Sequence, residues 1–244
     1  MPISPVMRPV VIVPTYNERA NIAELVPALL AIEGLRIIVA DDGSPDGTGA
    51  TADRLAEDSL GRLRVLHRTG PRGYGRSHLD GMRMALATDA THICQMDADL
   101  SHDPEDLRRM LDAAPHADLV IGSRYVTGGR VRNWPRRRRI LSAFANRYVR
   151  TITGLAVHDC TSGFRCWSRT LLESLDLSGV QSDGYAFLVE LAWHAQRRRG
   201  RIVEVPITFV ERREGASKLS WKVIAESVVL PWRLAARRDT LPLS

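Results

Sequence analysis

The chain has 244 residues, a formal net charge of +6 and a sequence pI near 9.7. Its 44% hydrophobic and 25% charged residues are typical of a folded globular protein, and they exclude a disordered or fibrous chain. The positive charge favours an anionic partner, such as a phosphate ligand, an acidic membrane surface or a nucleic acid, without choosing among them.

The cysteines and the hydropathy pattern narrow the setting further. Cys94, Cys160 and Cys166 form no Cys-x-x-Cys pair, and their odd number argues against a disulfide framework. No segment reaches the roughly 20 apolar residues that a membrane-spanning helix needs, and the apolar stretch Pro9–Pro14 is too short for the core of a signal peptide. We therefore expect a cytoplasmic protein that is soluble or peripherally bound to a membrane.

Strand and helix patterns alternate through the first half of the chain. The predicted strands are Val10–Val13, Arg36–Ala40, Leu63–His67, His92–Met96 and Leu119–Gly122. The predicted helices between them are Ala20–Ala31, Thr48–Glu57, His78–Ala87 and Glu105–Ala113. This alternation predicts an α/β fold with a mostly parallel sheet and helices on both of its faces.

The second half begins with a run of four arginines. The run Arg136–Arg139 opens a predicted helix that extends to about Thr153, and Asp183-Gly184-Tyr185 precedes another that extends to about Arg198. The character of the sequence changes after Ser123, ahead of the arginine run, and we expect this boundary to be functional.

The end of the chain contains an edge strand and an amphipathic helix. Residues Ile202–Phe209 are predicted to form a strand at the edge of the sheet, because Pro206 lacks the N–H that an inner strand needs. Residues Lys218–Arg238 form an amphipathic helical pattern, which is typical of a helix that packs on the domain or lies in a membrane interface.

Two aspartates close the fourth predicted strand. Side-chain alternation places Asp97 and Asp99 on one side, at the carboxyl end of the strand, where open α/β sheets bind ligands. A hard divalent cation with oxygen ligands would relieve their repulsion. The alternative is a structural role, because aspartates also end strands and cap helices, as Asp103-Pro104-Glu105 is expected to do.

Polar loops also follow the first two strands. In the loops Pro14–Glu18 and Asp41–Thr48, Glu18 and Asp42 are placed to accept hydrogen bonds from a base or ribose, and Tyr16 to stack on a ring. The alternative is ordinary turn chemistry, since Asn-Glu caps a helix and Ser-Pro-Asp-Gly forms a turn.

These loops, together with the runs Asp97–Pro104, Gly122–Tyr125 and Glu211–Leu219, resemble the dolichol- and polyprenol-phosphate mannose synthases. That family consists of inverting family 2 glycosyltransferases with the GT-A fold, a Rossmann-like nucleotide-diphospho-sugar transferase architecture. The resemblance extends from Pro14 to Leu219. It implies a catalytic domain over residues 1–219, followed by an amphipathic C-terminal helix and tail over residues 220–244.

The resemblance implies a donor site and a metal site. The residues that would hold the nucleoside of GDP-mannose are Pro14, Tyr16, Glu18, Ala40 and Asp42. Asp97, the backbone of Ala98, and Asp99 would place Mg²⁺ or Mn²⁺ against the diphosphate, with Ser101 as a further metal contact. Arg212 and Lys218 would close over the diphosphate, although such a loop is also consistent with a simple solvated surface.

The resemblance also implies that Arg124, Arg138 and Ser142 bind the acceptor phosphate. The alternatives for the arginine run are a solvated face, an acidic-lipid contact or a nucleic-acid patch, and its neighbours favour the substrate role. Arg136 and Arg139 are assigned to a membrane-facing role. The run Asp159–Arg165 is expected to shape the sugar or acceptor pocket without transferring a proton.

The resulting hypothesis is mannosyl transfer from GDP-mannose to a polyprenyl phosphate, with Asp99, Arg124 and Arg138 as the catalytic residues. The alternatives are a related transferase that uses UDP-glucose or another nucleotide sugar, and a non-enzymatic basic module that binds a membrane or nucleic acid. We expect that the chain does not bind nucleic acid, because a surface that binds a phosphodiester backbone gains nothing from clustered carboxylates. The tail helix, anchored by Trp221 and Trp232, is expected to dock on the cytoplasmic membrane surface or on an integral membrane protein.

Three further features are expected to have ordinary structural roles. Residues Gly70–Gly75 are glycine-rich but lack the Gly-Lys-Ser/Thr ending of a phosphate-binding loop. His102 lies near the proposed metal and is expected to act in a turn or cap. Cys160 and Cys166 are expected to be packing residues, because a zinc site would need more ligands at suitable spacing.

Overall fold

The computed structural model describes residues 7–180, 182, 184–211 and 221–237, and of residues 221–227 it describes the backbone alone. The strands are β1 (Pro9–Thr15), β2 (Arg36–Asp41), β3 (Leu63–His67), β4 (His92–Gln95), β5 (Leu119–Ser123), β6 (Arg130–Arg132), β7 (Arg165–Ser168), β8 (Ile202–Pro206) and β9 (Thr208–Val210). The α-helices are α1 (Arg19–Leu30), α2 (Thr48–Glu57), α3 (Tyr74–Leu86), α4 (Pro104–Ala113), α5 (Arg136–Thr153), α6 (Arg169–Ser174), α7 (Gly184–Arg197) and α8 (Trp221–Ala236).

Seven strands form one sheet in the order β3-β2-β1-β4-β7-β5-β8. Every neighbouring pair is parallel except the two pairs made by β7, which runs antiparallel to both β4 and β5. Strands β6 and β9 form a separate parallel pair. The prediction of a mostly parallel α/β sheet is therefore confirmed.

Both faces of the sheet are covered because the buried strands are apolar on both sides. In β1, Val10 and Ile12 belong to one core cluster with residues of α3 and α7, whereas Val11 and Val13 belong to a second cluster with residues of α1 and α4. This double covering leaves the strand ends as the place where the sheet is open to a ligand.

The predicted elements of the first half agree with the structure to within two residues, except for α3. Helix α3 begins at Tyr74, four residues before the predicted start at His78. Glycine has a low helix propensity, and Gly73 and Gly75 lie at this early start. Packing overrides that preference: a Cβ at Gly81 of this helix would lie 2.5 Å from Ile12, which shows how closely the helix approaches the sheet.

The predicted edge strand Ile202–Phe209 is two strands. Strand β8 lies at the edge of the main sheet as predicted and ends at Pro206, while β9 pairs with β6 in the second sheet. Ile207 lies between them and is buried. Strands β6 and β7 and helix α6 were not predicted, because segments of three to six residues carry too little periodicity to be recognised.

Helix α8 confirms the helical pattern of the tail. Leu230 and Leu234 are buried in the core cluster that contains α7, whereas Val228, Val229 and Trp232 are exposed. Across the described ranges, the helices are all too short or too polar to cross a membrane. The three cysteines are buried and free, as their expected packing role requires.

Candidate active site

A cavity of about 500 Å³ opens where β1, β2 and β4 end. Nine residues predicted for the site line it: Pro14, Tyr16, Glu18, Asp42, Asp97, Ala98, Asp99, Arg124 and Arg138. Ala40, Ser101 and Ser142 are not among the lining residues, and Arg212 and Lys218 lie outside the described part of the chain. The structure therefore brings together residues that are more than 120 positions apart in sequence, from Pro14 to Arg138.

The loops after β1 and β2 are bound to one another. The Thr15 hydroxyl donates to Asp41 Oδ1 at 3.0 Å, and the backbone amide of Glu18 donates to Thr48 Oγ1 at 3.0 Å. The Ser44 hydroxyl also donates to Asp41 Oδ1, at 2.5 Å. Ala40 is fully buried in β2, and the residue of this strand end that lines the cavity is Asp42. The hydrogen bonds expected of turns are therefore present in loops that also border the cavity.

Asp42 is held by the segment that follows β3. Its carboxylate forms an ion pair with the buried Arg68 and accepts hydrogen bonds from the Gly73 amide at 2.9 Å and the Ser77 hydroxyl at 3.2 Å. Because these donors arrive from a different loop, Asp42 joins the end of β2 to the start of α3.

The glycine-rich segment contributes to the cavity, which the sequence did not predict. Arg72, Gly73 and Tyr74 line it, and the Arg72 guanidinium lies 4.6 Å from the centre of the Tyr16 ring, within cation–π distance. Residues Gly70–Gly75 lack the ending of a phosphate-binding loop, and they nevertheless contribute to the cavity at the strand ends. Their proximity to the site depends on tertiary structure.

The paired aspartates line the same cavity. Asp97 Oδ1 accepts a hydrogen bond from the Tyr74 hydroxyl at 3.0 Å, and Asp99 Oδ1 accepts one from the Ser101 amide at 3.1 Å. Burial, and after it the negative charge of Asp97, raises the pKa of Tyr74 well above its ordinary value. The phenol therefore remains a protonated donor at neutral pH.

These carboxylates fit a divalent cation whose remaining ligands come from a bound substrate. Their oxygens are the hard donors that Mg²⁺ and Mn²⁺ prefer. Within the described ranges, no group of three or more His, Cys, Asp or Glu side chains is arranged to hold a metal by itself. Asp97 and Asp99 would thus supply part of a coordination shell that a diphosphate completes.

His102 lies beside this pair as a neutral imidazole. Its Nδ1 accepts a long hydrogen bond, 3.4 Å, from the Asp97 amide, and its ring stacks on Phe164 with centroids 4.6 Å apart. Burial lowers the pKa of His102 to about 4, although the nearby Asp99 charge acts in the opposite direction. The expected structural role is consistent with these contacts.

Ser101 is only 1% exposed. Its Oγ has no hydrogen-bond partner within the described part of the chain, and its carbonyl accepts a hydrogen bond from the Val210 amide at 3.1 Å. The contact with Val210 joins the loop after β4 to the end of β9. The metal contact of Ser101 stays a prediction.

Arg124 is anchored in a buried ion pair with Asp159. Its backbone amide, Nε and Nη2 all donate to the Asp159 carboxylate at 2.7–3.0 Å, and Nη2 also donates to the Thr161 hydroxyl at 2.9 Å. Burial by itself raises the pKa of Asp159, but the charge and hydrogen bonds of Arg124 outweigh it and leave the pKa below its ordinary value. The pair is therefore fully ionised at neutral pH.

Arg138 is held between an aromatic ring and a carboxylate. Its guanidinium lies 4.2 Å from the centre of the Trp134 ring and forms an ion pair with Glu211. Ser142, one turn further along α5, accepts a hydrogen bond from the Tyr125 hydroxyl at 2.7 Å. Ser142 is thus connected to the residue next to Arg124 instead of lining the cavity.

The run Asp159–Arg165 does shape the pocket, as expected. The fully buried Arg165 donates to the carbonyls of Ser162, Leu188 and Cys160 at 2.6–3.0 Å. Burial lowers the pKa of Arg165 to about 10. These bonds hold the loop whose members Thr161, Ser162 and Gly163 line the cavity.

Comparison with known proteins identifies the family. The family described as "Glycosyl transferase family 2" matches residues 10–176. The chain belongs to this family. This glycosyltransferase is 48% identical over 241 residues to the polyprenol monophosphomannose synthase of Mycolicibacterium smegmatis, covering 97% of this chain and 91% of that protein. It is 44% identical over 239 residues to the undecaprenyl-phosphate mannosyltransferase of Micrococcus luteus, covering 96% and 98%.

Solved structures show the same fold. A mannosyltransferase from Pyrobaculum calidifontis, in complex with GDP-Man and Mn²⁺, superposes on this glycosyltransferase with a TM-score of 0.57 at 20% identity, covering 94% of this chain and 73% of that one. The GT-A fold and the resemblance to the polyprenol-phosphate mannose synthases, both inferred from the motifs, are confirmed.

The glycosyltransferase also carries an exposed apolar surface formed by α5 and α8, of which only the part on α8 was predicted from the sequence. It consists of Ile140, Leu141 and Phe144 of α5 and Val228, Val229 and Trp232 of α8, all of them exposed, and we call it the apolar ridge. The Tyr148 hydroxyl donates to the Val228 carbonyl at 2.9 Å, and Trp232 Nε1 donates to the Tyr148 oxygen at 2.9 Å, so the two helices are packed together. Trp232, one of the two tryptophans predicted to anchor the tail helix, is exposed on this surface. The other, Trp221, has a side chain outside the described part of the chain.

The cavity is also lined by four aromatic residues that were not predicted from the sequence: Tyr74, Trp134, Tyr185 and Phe209. Trp134 lies in Asn-Trp-Pro directly before the arginine run, and Tyr185 follows Gly184 at the start of α7, so their positions at element boundaries were a usable signal. Phe209 carried no such signal, because β9 was not distinguished from β8.

Proposed function

We propose that this glycosyltransferase moves a mannosyl group from GDP-mannose to the phosphate of a polyprenyl lipid, giving polyprenyl phosphate mannose and GDP. The observation that carries the proposal is one cavity lined both by the paired carboxylates Asp97 and Asp99 and by the anchored guanidiniums Arg124 and Arg138. Relatives named for mannose transfer to polyprenyl phosphates match almost the whole chain, which supports the choice of sugar and acceptor.

The donor would bind at the ends of β1, β2 and β4. Tyr16, Glu18 and Asp42 line the part of the cavity that we assign to the nucleoside, and Pro14 and Ala40 keep their predicted assignment to it. Arg212 and Lys218 keep their predicted assignment to the donor diphosphate. The GDP-Man bound to the structural relative supports a guanosine donor.

Asp97 and Asp99 would hold a divalent cation, and the Mn²⁺ bound to the structural relative supports this assignment. Such a cation would neutralise the charge that develops on the departing diphosphate. Asp97, Asp99 and, as a prediction, Ser101 are the residues of this chain assigned to it.

The acceptor phosphate would be bound by Arg124 and Arg138. Nε and Nη2 of Arg124 donate to the Asp159 carboxylate, and Nη2 also donates to the Thr161 hydroxyl. Nη1 has no hydrogen-bond partner in the described part of the chain. Two N–H groups of Nη1 thus remain for phosphate oxygens, in a guanidinium that is already oriented. Ser142 at this site stays a prediction.

Transfer at this site needs no general base. The second pKa of a phosphate monoester is about 6, so the acceptor is largely a dianion at neutral pH. The neutral imidazole of His102 therefore has no proton to remove from the nucleophile. Positioning of the acceptor oxygen in line with the leaving group, with charge stabilisation, is sufficient, and a single displacement inverts the anomeric carbon.

We infer that the protein reaches its lipid acceptor by docking the apolar ridge on a membrane surface. Exposed apolar side chains on two adjacent helices, bordered by the exposed Arg136 and Arg139, match the combination of apolar and cationic groups found in interfacial helices. Arg138, on the same helix, would then lie at the membrane side of the cavity.

The test is incubation of the purified protein with radiolabelled GDP-mannose, polyprenyl phosphate and Mn²⁺, followed by lipid extraction. We expect label in the lipid phase together with released GDP. UDP-glucose is supplied in a parallel reaction, and lipid product from that donor alone would replace GDP-mannose in the proposal. The absence of a lipid product with both donors would contradict the proposed reaction.

A further inference from the structure

Tyr74 is placed to act on the metal site without being one of its assigned ligands. Its hydroxyl donates to Asp97 Oδ1 at 3.0 Å, and the residue lies in the first turn of α3, on a segment that the donor and metal assignments do not include. The last side-chain torsion of a carboxylate has broad preferences, so a hydrogen bond at one oxygen contributes to its orientation.

The loop opposite Tyr74 leaves space for this contact. A Cβ built on Gly163 would overlap the Tyr74 hydroxyl oxygen and lie 3.4 Å from Asp97 Oδ1. The backbone of Gly163 is in a conformation that any residue adopts, so the glycine is required by the close approach and not by its dihedral angles.

The Tyr74 ring is held from the other side by aromatic side chains. It meets the His78 ring edge-on, with centroids 4.7 Å apart, and the Phe187 ring at 6.5 Å, while His78 stacks on Phe187. His78 is fully buried, and this packing fixes the direction in which the hydroxyl of Tyr74 points.

We propose that Tyr74 is a positioning residue for the metal-binding carboxylate, whose hydroxyl, held by Gly163 and the aromatic cluster, keeps Asp97 in the orientation that a divalent cation requires. The inference rests on the proposed assignment of Asp97 to a metal. Partners that orient a metal ligand in this way typically contribute 10- to 100-fold to metal affinity, so the effect of Tyr74 is measurable.

The experiment uses GDP and Mn²⁺ as probes and compares Tyr74→Phe with the wild type. We expect the Mn²⁺ concentration that half-saturates the GDP-bound protein to rise about 10-fold in Tyr74→Phe. The affinity for GDP in EDTA should stay unchanged, because the phenyl ring preserves the packing. Calorimetry measures both quantities, and electron paramagnetic resonance of Mn²⁺ checks the first independently.

Two further variants make the test specific. Gly163→Ala displaces the Tyr74 hydroxyl while keeping it chemically intact, and we expect a rise in the Mn²⁺ requirement of the same direction. Tyr148→Phe removes a hydroxyl that donates one hydrogen bond at the α5–α8 contact, and it should leave Mn²⁺ binding unchanged.

A Tyr74→Phe protein with the wild-type Mn²⁺ requirement would overturn the inference and leave the proposed metal site intact. An equal loss of GDP affinity in EDTA and in Mn²⁺ would overturn it as well, because it would indicate a general packing role. A wild type that binds GDP equally well in EDTA and in Mn²⁺ would overturn both the inference and the metal assignment.

Discussion

The two charged halves of the cavity are built in opposite ways. On the donor side, Asp97 and Asp99 follow β4 directly and receive hydrogen bonds from a phenol and a backbone amide. On the acceptor side, Arg124 and Arg138 each form an ion pair with a carboxylate far along the chain, Asp159 at a separation of 35 residues and Glu211 at 73.

This difference predicts different consequences of mutation. The Tyr74 hydroxyl and the Ser101 amide donate to the donor-side aspartates, whose proposed role is to bind a cation, so a change there should cost activity more than stability. On the acceptor side, the positive charge is offset within the fold, so removal of a counter-charge should cost stability first.

The largest effect is expected on the donor side. Asp99→Ala should lower mannosyl transfer by about 1000-fold, because it removes charge stabilisation at the leaving group, while the urea midpoint stays close to that of the wild type. Asp112→Ala, which removes an exposed aspartate of α4, is the control. Near-normal turnover of Asp99→Ala with added Mn²⁺ would exclude the metal role of Asp99.

The second largest effect is a loss of stability expected on the acceptor side. Asp159→Asn should lower the free energy of unfolding by about 3 kcal/mol, because it leaves the buried guanidinium of Arg124 without its counter-charge. Urea denaturation at neutral pH measures this loss. The double variant Arg124→Met, Asp159→Asn should recover part of the stability, since it removes the unpaired charge, and a double variant less stable than Asp159→Asn would contradict this account of the pair.

Replacement of Arg138 should affect the KM of the acceptor and not that of the donor. Arg138→Ala should raise the KM for polyprenyl phosphate about 10-fold and leave the KM for GDP-mannose unchanged, because a charge-assisted phosphate contact is lost. Arg137→Ala is the matched control, as Arg137 is exposed in the same run and does not line the cavity. Equal losses for both substrates would undo the division between donor and acceptor sides.

The smallest effect concerns the apolar ridge. Phe144→Ser and Trp232→Ser remove side chains that are 65% and 61% exposed, and each should weaken binding to phospholipid vesicles about five-fold, as partial burial of one large apolar side chain implies. Leu60→Ser, which removes an apolar residue 95% exposed near β3, is the control in the flotation assay. Flotation that neither ridge variant changes would favour an integral membrane protein as the docking partner.

The sequence by itself determined the α/β class, most element boundaries of the first half, the span of α5 and the carboxylates of the donor side. These features are local, because alternating apolar residues define a buried strand and a polar loop after it lies at the ligand-binding edge. The position of Asp42, Asp97 and Asp99 after β2 and β4 thus predicted that they lie at one edge of the sheet, where all three line the cavity.

Only the tertiary structure decided which residues form hydrogen bonds and ion pairs with the site residues. Nothing near Arg124 in sequence indicates Asp159, and nothing near Asp97 indicates Tyr74. Short strands such as β7 carry too few residues for a period, and buried charges find their counter-ions through packing between distant segments. Periodicity and strand-end chemistry are properties of neighbouring residues, whereas ion pairs, close approaches and the apolar ridge exist only after the chain has folded.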